Sequence, residues 1–305
     1  MTVTMSESIT EPTAEAITKA ISDVESDIKP VSASIKRSKK ERTKDWIKPP
    51  KSIMKLVGKA MAQYQMLREG DRVLLGLSGG KDSMSLLIIL KHIQRHAPIH
   101  FEIAACTIDP EIPGFDPSPL KSWCASLDVP YFYESEDIVK LAEERMKGNS
   151  FCSFCARQKR GILYSTCRRE GYNVLALAQH LDDLAESFIM SAFNAGQLRT
   201  MKAHYLNDDK DIRIIRPLVR VRECQTREFA TEAGLPVIED NCPACYAKPQ
   251  AREETKQMLL AQEKTNSHLY ANLWRAMQPL IADDNHAGHA SLLQSELSEP
   301  NEVDL

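Results

Sequence analysis

Long apolar runs are missing from this 305-residue chain: the longest aliphatic stretch, Leu86-Leu87-Ile88-Ile89-Leu90, is far short of the roughly 20 residues that span a bilayer. No membrane association is expected. Charge of one sign is also scarce. Lys and Arg number 39 against 42 Asp and Glu, a net charge of −3, so nothing draws the whole chain toward nucleic acid. Such a partner would have to meet a locally basic face. Eight cysteines are too few for a disulfide scaffold at this length. The first thirty residues have neither the apolar core of a secretory signal nor the arginines of a transit peptide. A cytoplasmic protein is expected.

The composition that remains is that of an ordinary soluble protein, 43% apolar and 27% charged. Its distribution divides the chain. Residues 1–48 are expected to be a disordered tail whose end turns basic, and Lys36, Arg37, Lys39, Lys40, Arg42 and Lys44 meet only Glu41 and Asp45 there. Residues 49–250 carry the main domain, residues 251–281 a C-terminal helical segment, and 282–305 an acidic disordered tail without Lys or Arg.

Between the tails, strands and helices alternate. After Pro49-Pro50, Ile53, Leu56, Val57, Ala60, Met61, Tyr64 and Leu67 recur at helical spacing. Strands are expected over Arg72–Leu77, Phe101–Ile108, Pro130–Tyr133, Asn173–Ala178 and Ile212–Ile215. Helices are expected over Met84–His96, Leu120–Leu127, Ala156–Glu170, Asp182–Phe193 and Thr226–Ala233. Crossovers of this length imply an α/β protein with a Rossmann-like parallel sheet covered by helices on both faces.

The most informative segment is Ser78-Gly79-Gly80-Lys81-Asp82-Ser83, lying between the first strand and its helix. Glycines let backbone N–H groups approach an anion, and the helix N-terminus attracts negative charge. Ser78 and Ser83 add hydroxyl donors, and Asp82 makes sense if it holds Mg²⁺ bridging two phosphates. Neither a Walker loop nor a dinucleotide fingerprint is present. The segment resembles the signature of the PP-loop ATP pyrophosphatase superfamily. That resemblance implies ATP cleavage between the α and β phosphates, with adenylation of a carbonyl oxygen. In such enzymes the end of the second strand, here Asp109, contacts the nucleotide, and a helix or turn cap is the alternative reading of this residue.

Two CxxC pairs follow, Cys152-Ser153-Phe154-Cys155 in a loop before the basic helix and Cys242-Pro243-Ala244-Cys245 further on. Four such thiolates suit a tetrahedral zinc, and three suit an iron–sulfur cluster with one iron open. Cys106, Cys124, Cys167 and Cys224 are read as small buried hydrophobes. An adenylated base needs a nucleophile to displace AMP. Zinc closed by four thiolates offers none, whereas an open iron can hold sulfide.

With both motifs in place the chain resembles the tRNA 2-thiocytidine synthetase family, sulfurtransferases acting on anticodon-loop cytidine 32. The likeness runs from about Lys55 to Arg252. It includes Glu69-Gly70-Asp71-Arg72, Ala97-Pro98-Ile99, Pro113-Gly114-Phe115, Arg160-Gly161-Ile162-Leu163-Tyr164, His180 with Asp182-Asp183, and Ile215-Arg216-Pro217-Leu218. The resemblance implies a [4Fe-4S] cluster on Cys152, Cys155 and Cys245, with Cys242 as the alternative third ligand. It implies ATP and Mg²⁺ at Ser78–Ser83, with Asp82 catalytic and with Asp109, His180 and Asp183 around the nucleotide. tRNA, a cysteine desulfurase or other sulfur donor, and a second copy in a homodimer are the implied partners. One departure stands out: the family's Gly-His-His-x-Asp-Asp is here Ala178-Gln179-His180-Leu181-Asp182-Asp183. For His180, Asp182 and Asp183, helix capping is the alternative to ligand contact.

Two basic stretches are candidates for the tRNA face: Arg157, Lys159, Arg160, Arg168 and Arg169, then Arg199, Lys202, Arg213, Arg216, Arg220, Arg222 and Arg227. Other functions fit the residues less well. A 2-thiouridine synthetase of the cytosolic type usually has terminal cysteine clusters, and neither end here has any cysteine. A lysidine synthetase leaves the cysteine quartet unexplained. A zinc-stabilised RNA-binding protein would be colourless. Neutralising the cations of Lys36–Lys44 is expected to weaken tRNA binding and flatten its salt dependence, and an unchanged slope in salt titrations would exclude an RNA-binding arm.

Overall fold

The computed structural model describes residues 46–145, 151–238 and 251–282. The expected tails lie almost wholly outside these ranges, as do Cys242 and Cys245. From Ile47 onward the described residues form one unit. Helix α1 (Lys51–Gln63) begins directly after Pro50, where a proline's fixed φ and missing N–H do no harm. It turns Ile53, Val57 and Ala60 inward. Then come β1 (Asp71–Gly76), α2 (Lys81–His96), β2 (Phe101–Asp109), α3 (Ser118–Ser126), β3 (Tyr131–Ser135) and α4 (Ile138–Arg145). Helix α5 (Phe151–Glu170) leads to β4 (Val174–Ala176) and α6 (Leu181–Ala195), then β5 (His204–Leu206), β6 (Arg213–Ile215) and α7 (Glu223–Glu232). Helices α8 (Ala251–Glu263) and α9 (Leu269–Ile281) close the described chain.

The sheet order is β3-β2-β1-β4-β6-β5. All neighbours are parallel except β5, which pairs antiparallel with β6. The strands central to the sheet are buried on both sides, so they read as continuous apolar runs rather than alternating ones. Val73 and Leu75 face the larger cluster, with Leu86 and Ile89 of α2, Leu184 of α6, Phe229 of α7 and Met277 of α9. Leu74 faces the other side, with Leu163 and Cys167 of α5. The covered α/β sheet expected from the sequence is therefore present, with one difference. Strand β5 is an addition: three residues at a sheet edge, one of them the exposed Leu206, carry too little pattern to register in the sequence.

At the amino edge of the sheet, polar groups tie the strands together. Buried Asp71 pairs with Arg213 of β6, accepts from the Asn173 side chain at 3.1 Å, and accepts from the Arg68 N–H at 2.7 Å. The neighbouring Arg72 reaches Glu102 at 2.8 Å and lies over the Tyr172 ring. The Glu69-Gly70-Asp71-Arg72 motif thus serves the sheet here. Removing one partner of a buried pair strands the other's charge. Asp71→Ala is expected to lower the unfolding free energy by about 3–5 kcal/mol in urea titrations.

Candidate active site

Strand order reverses between β1 and β4, and open α/β sheets bind ligands at the carboxyl ends of the strands there. Two segments meet at this point. The first is the turn from β1 into α2. Gly79 has φ +85°, a conformation glycine adopts without strain. A Cβ there would come within 3.0 Å of the Ile238 side chain, and the Ile238 N–H donates to the Gly79 carbonyl at 2.9 Å. The Ser78 and Ser83 hydroxyls lie 3.1 Å apart, and Ser83 donates to the Gly80 carbonyl at 3.0 Å. Gly80 caps α2 without a side chain, so the first-turn N–H groups of this helix suit an anion.

The second segment is the turn from β4 into α6. Buried His180 caps α6: its Nδ1 accepts from the Asp183 N–H at 3.3 Å, and the Asp183 carboxylate accepts from the His180 N–H at 3.0 Å. This capping box commits Nδ1 as an acceptor and leaves Nε2 to carry the ring proton. Nε2 lies 3.7 Å from the Asp82 carboxylate. The histidine is thus a cap and a neighbour of the phosphate loop at once. Asp182 has a different place. It is buried, accepts from Arg222 Nε at 3.1 Å and from the Glu223 N–H at 2.7 Å, and so ties α6 to the start of α7.

A charge cluster that the sequence did not reveal surrounds the loop. Lys81 Nζ lies 2.9 Å from Asp82 and 3.0 Å from Glu223. Glu223 also meets Lys256 of α8 at 2.7 Å and Arg227 at 3.0 Å. Thr226 donates its hydroxyl to Asp82. Burial alone would raise the Glu223 carboxyl, but hydrogen bonds from Lys256 and Lys81 and their charges outweigh it and hold it at about 2. From the sequence, Glu223 is indistinguishable from any acid placed in a first helical turn for the helix dipole. Arg252 of α8 reaches Asp183 at 3.3 Å and Glu186 at 3.9 Å. Ile238 and Arg252 flank residues 239–250, so both described ends of the second CxxC segment are held at this site.

The first CxxC pair lies inside α5, not in a loop before it. Phe151, Phe154 and Cys155 share one helical face at i, i+3 and i+4 and pack with Ile138 and Ala142 of α4, which extends the helix backward through the cysteines. Helix α5 runs against the strand direction. Its far end meets Arg72, while Leu163 lies 3.3 Å from where a Cβ on Gly76 would sit, at the carboxyl end of β1. Cys155 is eight residues nearer the helix start, about 12 Å further along the axis. The first CxxC pair and the phosphate loop therefore lie at the same edge of the sheet.

Comparison with known proteins fits this geometry. A family model described as PP-loop domain matches residues 51–258. The tRNA-cytidine(32) 2-sulfurtransferase of Geobacter sulfurreducens is 39% identical over 228 residues, 74% of this chain and 89% of its own length. That of Vibrio vulnificus is 35% identical over 247 residues, 79% of each chain. This chain belongs to the tRNA-cytidine(32) 2-sulfurtransferase family of PP-loop proteins. The U34-tRNA thiolase of Methanococcus maripaludis, solved with its [4Fe-4S] cluster, shares the fold: the TM-score is 0.61 at 20% identity, covering 83% of this chain and 90% of that one.

Within this PP-loop frame several sequence expectations change. Arg168 and Arg169 lie at the far end of α5, paired with Asp209 and Asp211 and with Glu134 and Glu170. Arg213, Arg216 and Arg222 are wholly or largely buried in internal contacts. Arg157, Lys159 and Arg160, on the first turns of α5, make no ion pair among the described residues. Asp109 stands at the carboxyl end of β2 and accepts from the Tyr133 hydroxyl at 2.7 Å and the Glu111 N–H at 2.8 Å. Cys224 is exposed at the start of α7, contrary to expectation, because α7 turns Thr226, Phe229 and Ala230 inward instead. Cys106, Cys124 and Cys167 are buried, which pushes their thiols up to about 12. Among the described residues, no three metal-ligating side chains converge and no helix is long and apolar enough to cross a membrane.

Glu186, buried on α6 one turn beyond Asp182, is also new. Burial and then the Asp183 charge raise its carboxyl to about 7. A carboxyl raised in the folded state binds a proton that the unfolded chain releases above its ordinary value of about 4.3, so stability falls as pH rises from there to about 7. Glu186→Gln is expected to flatten this fall, by an amount on the order of 2–3 kcal/mol, in denaturant titrations at pH 5 and pH 8.

Proposed function

We propose that this protein is an ATP-dependent tRNA sulfurtransferase that converts the cytidine at position 32 of the anticodon loop to 2-thiocytidine. The observation that carries the reading is the shared edge: the phosphate loop and the first CxxC pair lie at the same end of the sheet. Membership of a family whose curated members are named tRNA-cytidine(32) 2-sulfurtransferases supplies the substrate.

The chain's own groups divide the work. The first-turn N–H groups of α2, the Ser78 and Ser83 hydroxyls and Lys81 bind the ATP phosphates, and Asp82 holds Mg²⁺ against them. Glu223 keeps Lys81 charged and aimed at the loop. His180, its Nδ1 fixed by the cap, presents Nε2–H beside Asp82, and Asp183 orients it. Asp109 contacts the nucleotide from the next strand. The cytosine O2 attacks the α phosphate, pyrophosphate leaves, and a poor oxide leaving group becomes AMP. A sulfur nucleophile then displaces AMP at C2.

The donor chemistry fits an iron–sulfur cluster. Cys152 and Cys155 stand one helical turn apart, Cys155 is half-buried and packs with the apolar cluster of Ile138, Ala142 and Phe154, and soft thiolate ligands suit iron. Cys245, with Cys242 as the alternative, completes the set. When bound, a [4Fe-4S] cluster with one open iron supplies the sulfur. The exposed Arg157, with Lys159 and Arg160 beside it, meets tRNA phosphates around a splayed base. The proposal extends to a cytoplasmic homodimer fed by a cysteine desulfurase or another sulfur donor.

Anaerobically purified protein is expected to be brown. Cys152→Ala and Cys155→Ala are expected to lose the visible band and all 2-thiocytidine in nucleoside mass spectrometry, with ATP affinity kept within about twofold. A colourless wild-type protein holding stoichiometric zinc, or loss of ATP binding in both variants, would overturn the assignment.

A further inference from the structure

Gln179 stands between the loop that binds the nucleotide and the helix that carries the first cysteines. It follows β4 at the carboxyl edge, directly before His180, whose Nε2 lies 3.7 Å from Asp82. Leu177, two residues earlier, packs with Leu163 of α5. The side chain is half-buried, and its Oε1 accepts from Arg216 Nε at 2.9 Å. An arginine only donates, so this contact fixes which end of the carboxamide faces inward. Arg216 is itself held: it is buried, its Nη1 donates to the Lys202 carbonyl at 2.6 Å, and it lies over the Tyr205 ring at 5.3 Å. The Nε2 amide of Gln179 is left with no hydrogen-bond partner among the described residues. Tyr164 of α5, one turn beyond Arg160, and Tyr205 of β5 border the same strip, both half-buried. The Gln179 carboxamide is thus held by its oxygen, and its amide is left as a donor.

We infer that Gln179 is a specificity-determining residue that donates its Nε2–H to N3 of the target cytosine. This rests on the proposed function. Cytosine N3 accepts a hydrogen bond, whereas uracil N3 carries a proton and only donates. A locked amide donor therefore favours cytosine and leaves uracil facing a donor with a donor, and sites built on hydrogen bonds discriminate in this way. The contact falls next to O2, the atom that is adenylated, and leaves that oxygen free.

The substitution Gln179→Glu separates this role from a structural one, because it keeps the acceptor for Arg216 and removes the donor. Anticodon stem-loop RNAs differing only in C or U at position 32 are titrated against the full chain by fluorescence anisotropy, and RNA-dependent pyrophosphate release is followed in parallel. Wild type is expected to prefer C32 about fivefold, the order of one neutral hydrogen bond. Gln179→Glu is expected to erase or invert that preference while ATP affinity stays within about twofold. Gln179→Ala is expected to lose the preference without inverting it. If wild type thiolates C32 RNA and Gln179→Glu keeps the wild-type ratio, the specificity role is wrong and the proposed function stands. If wild type makes no 2-thiocytidine on C32 RNA, both fall.

Discussion

The direction of α5 against the sheet is the constraint on which the rest depends. Five parallel strands open all their trailing loops on one edge, which gathers the phosphate loop, His180 and Asp109. A helix packed antiparallel beneath them must carry its first residues past that same edge. The contact of Leu163 at Gly76 sets how far. Had α5 been fixed a few turns differently, the first cysteines would sit under the sheet and away from the nucleotide.

Ion pairs complete the site from the other face. Glu223, approached by Lys81, Lys256 and Arg227, joins α2, α7 and α8. Arg222 bridges Asp182 of α6 and Glu263 of α8 and lies 3.3 Å over the Tyr270 ring of α9. Partly buried charges of this kind cost desolvation and return it only when every partner is present. Their value here is position. They hold α8, the helix that follows the second CxxC pair, against the start of α6 and the phosphate loop.

The basic residues show the limits of counting charge along a chain. The second stretch contains Arg213, Arg216, Arg220 and Arg222, and in sequence they resemble a nucleic-acid face. Folded, Arg213 answers Asp71 over a separation of 142 residues, Arg216 holds Gln179, Arg220 lies over Trp274, and Arg222 joins two carboxylates. Each partner is remote in sequence, so no local pattern announces it. The same holds for Glu223 and Glu186, which read as ordinary helix acids until the helices around them are placed.

Order along the chain was enough to specify the alternation of strands and helices, the anion-binding turn at Ser78–Ser83, the capping signal at His180–Asp183 and the presence of two thiol pairs. These are local: each rests on spacing or backbone chemistry within a few residues, and apolar period and glycine content record that directly. It took the packed fold to place Cys152 and Cys155 in a helix, to bring them to one edge with the phosphate loop, and to separate the internal arginines from the exposed ones. Those outcomes depend on side chains brought together from separations of 37 residues, as for Arg216 and Gln179, to 142, as for Arg213 and Asp71, where burial and charge pairing act and one-dimensional spacing has no purchase.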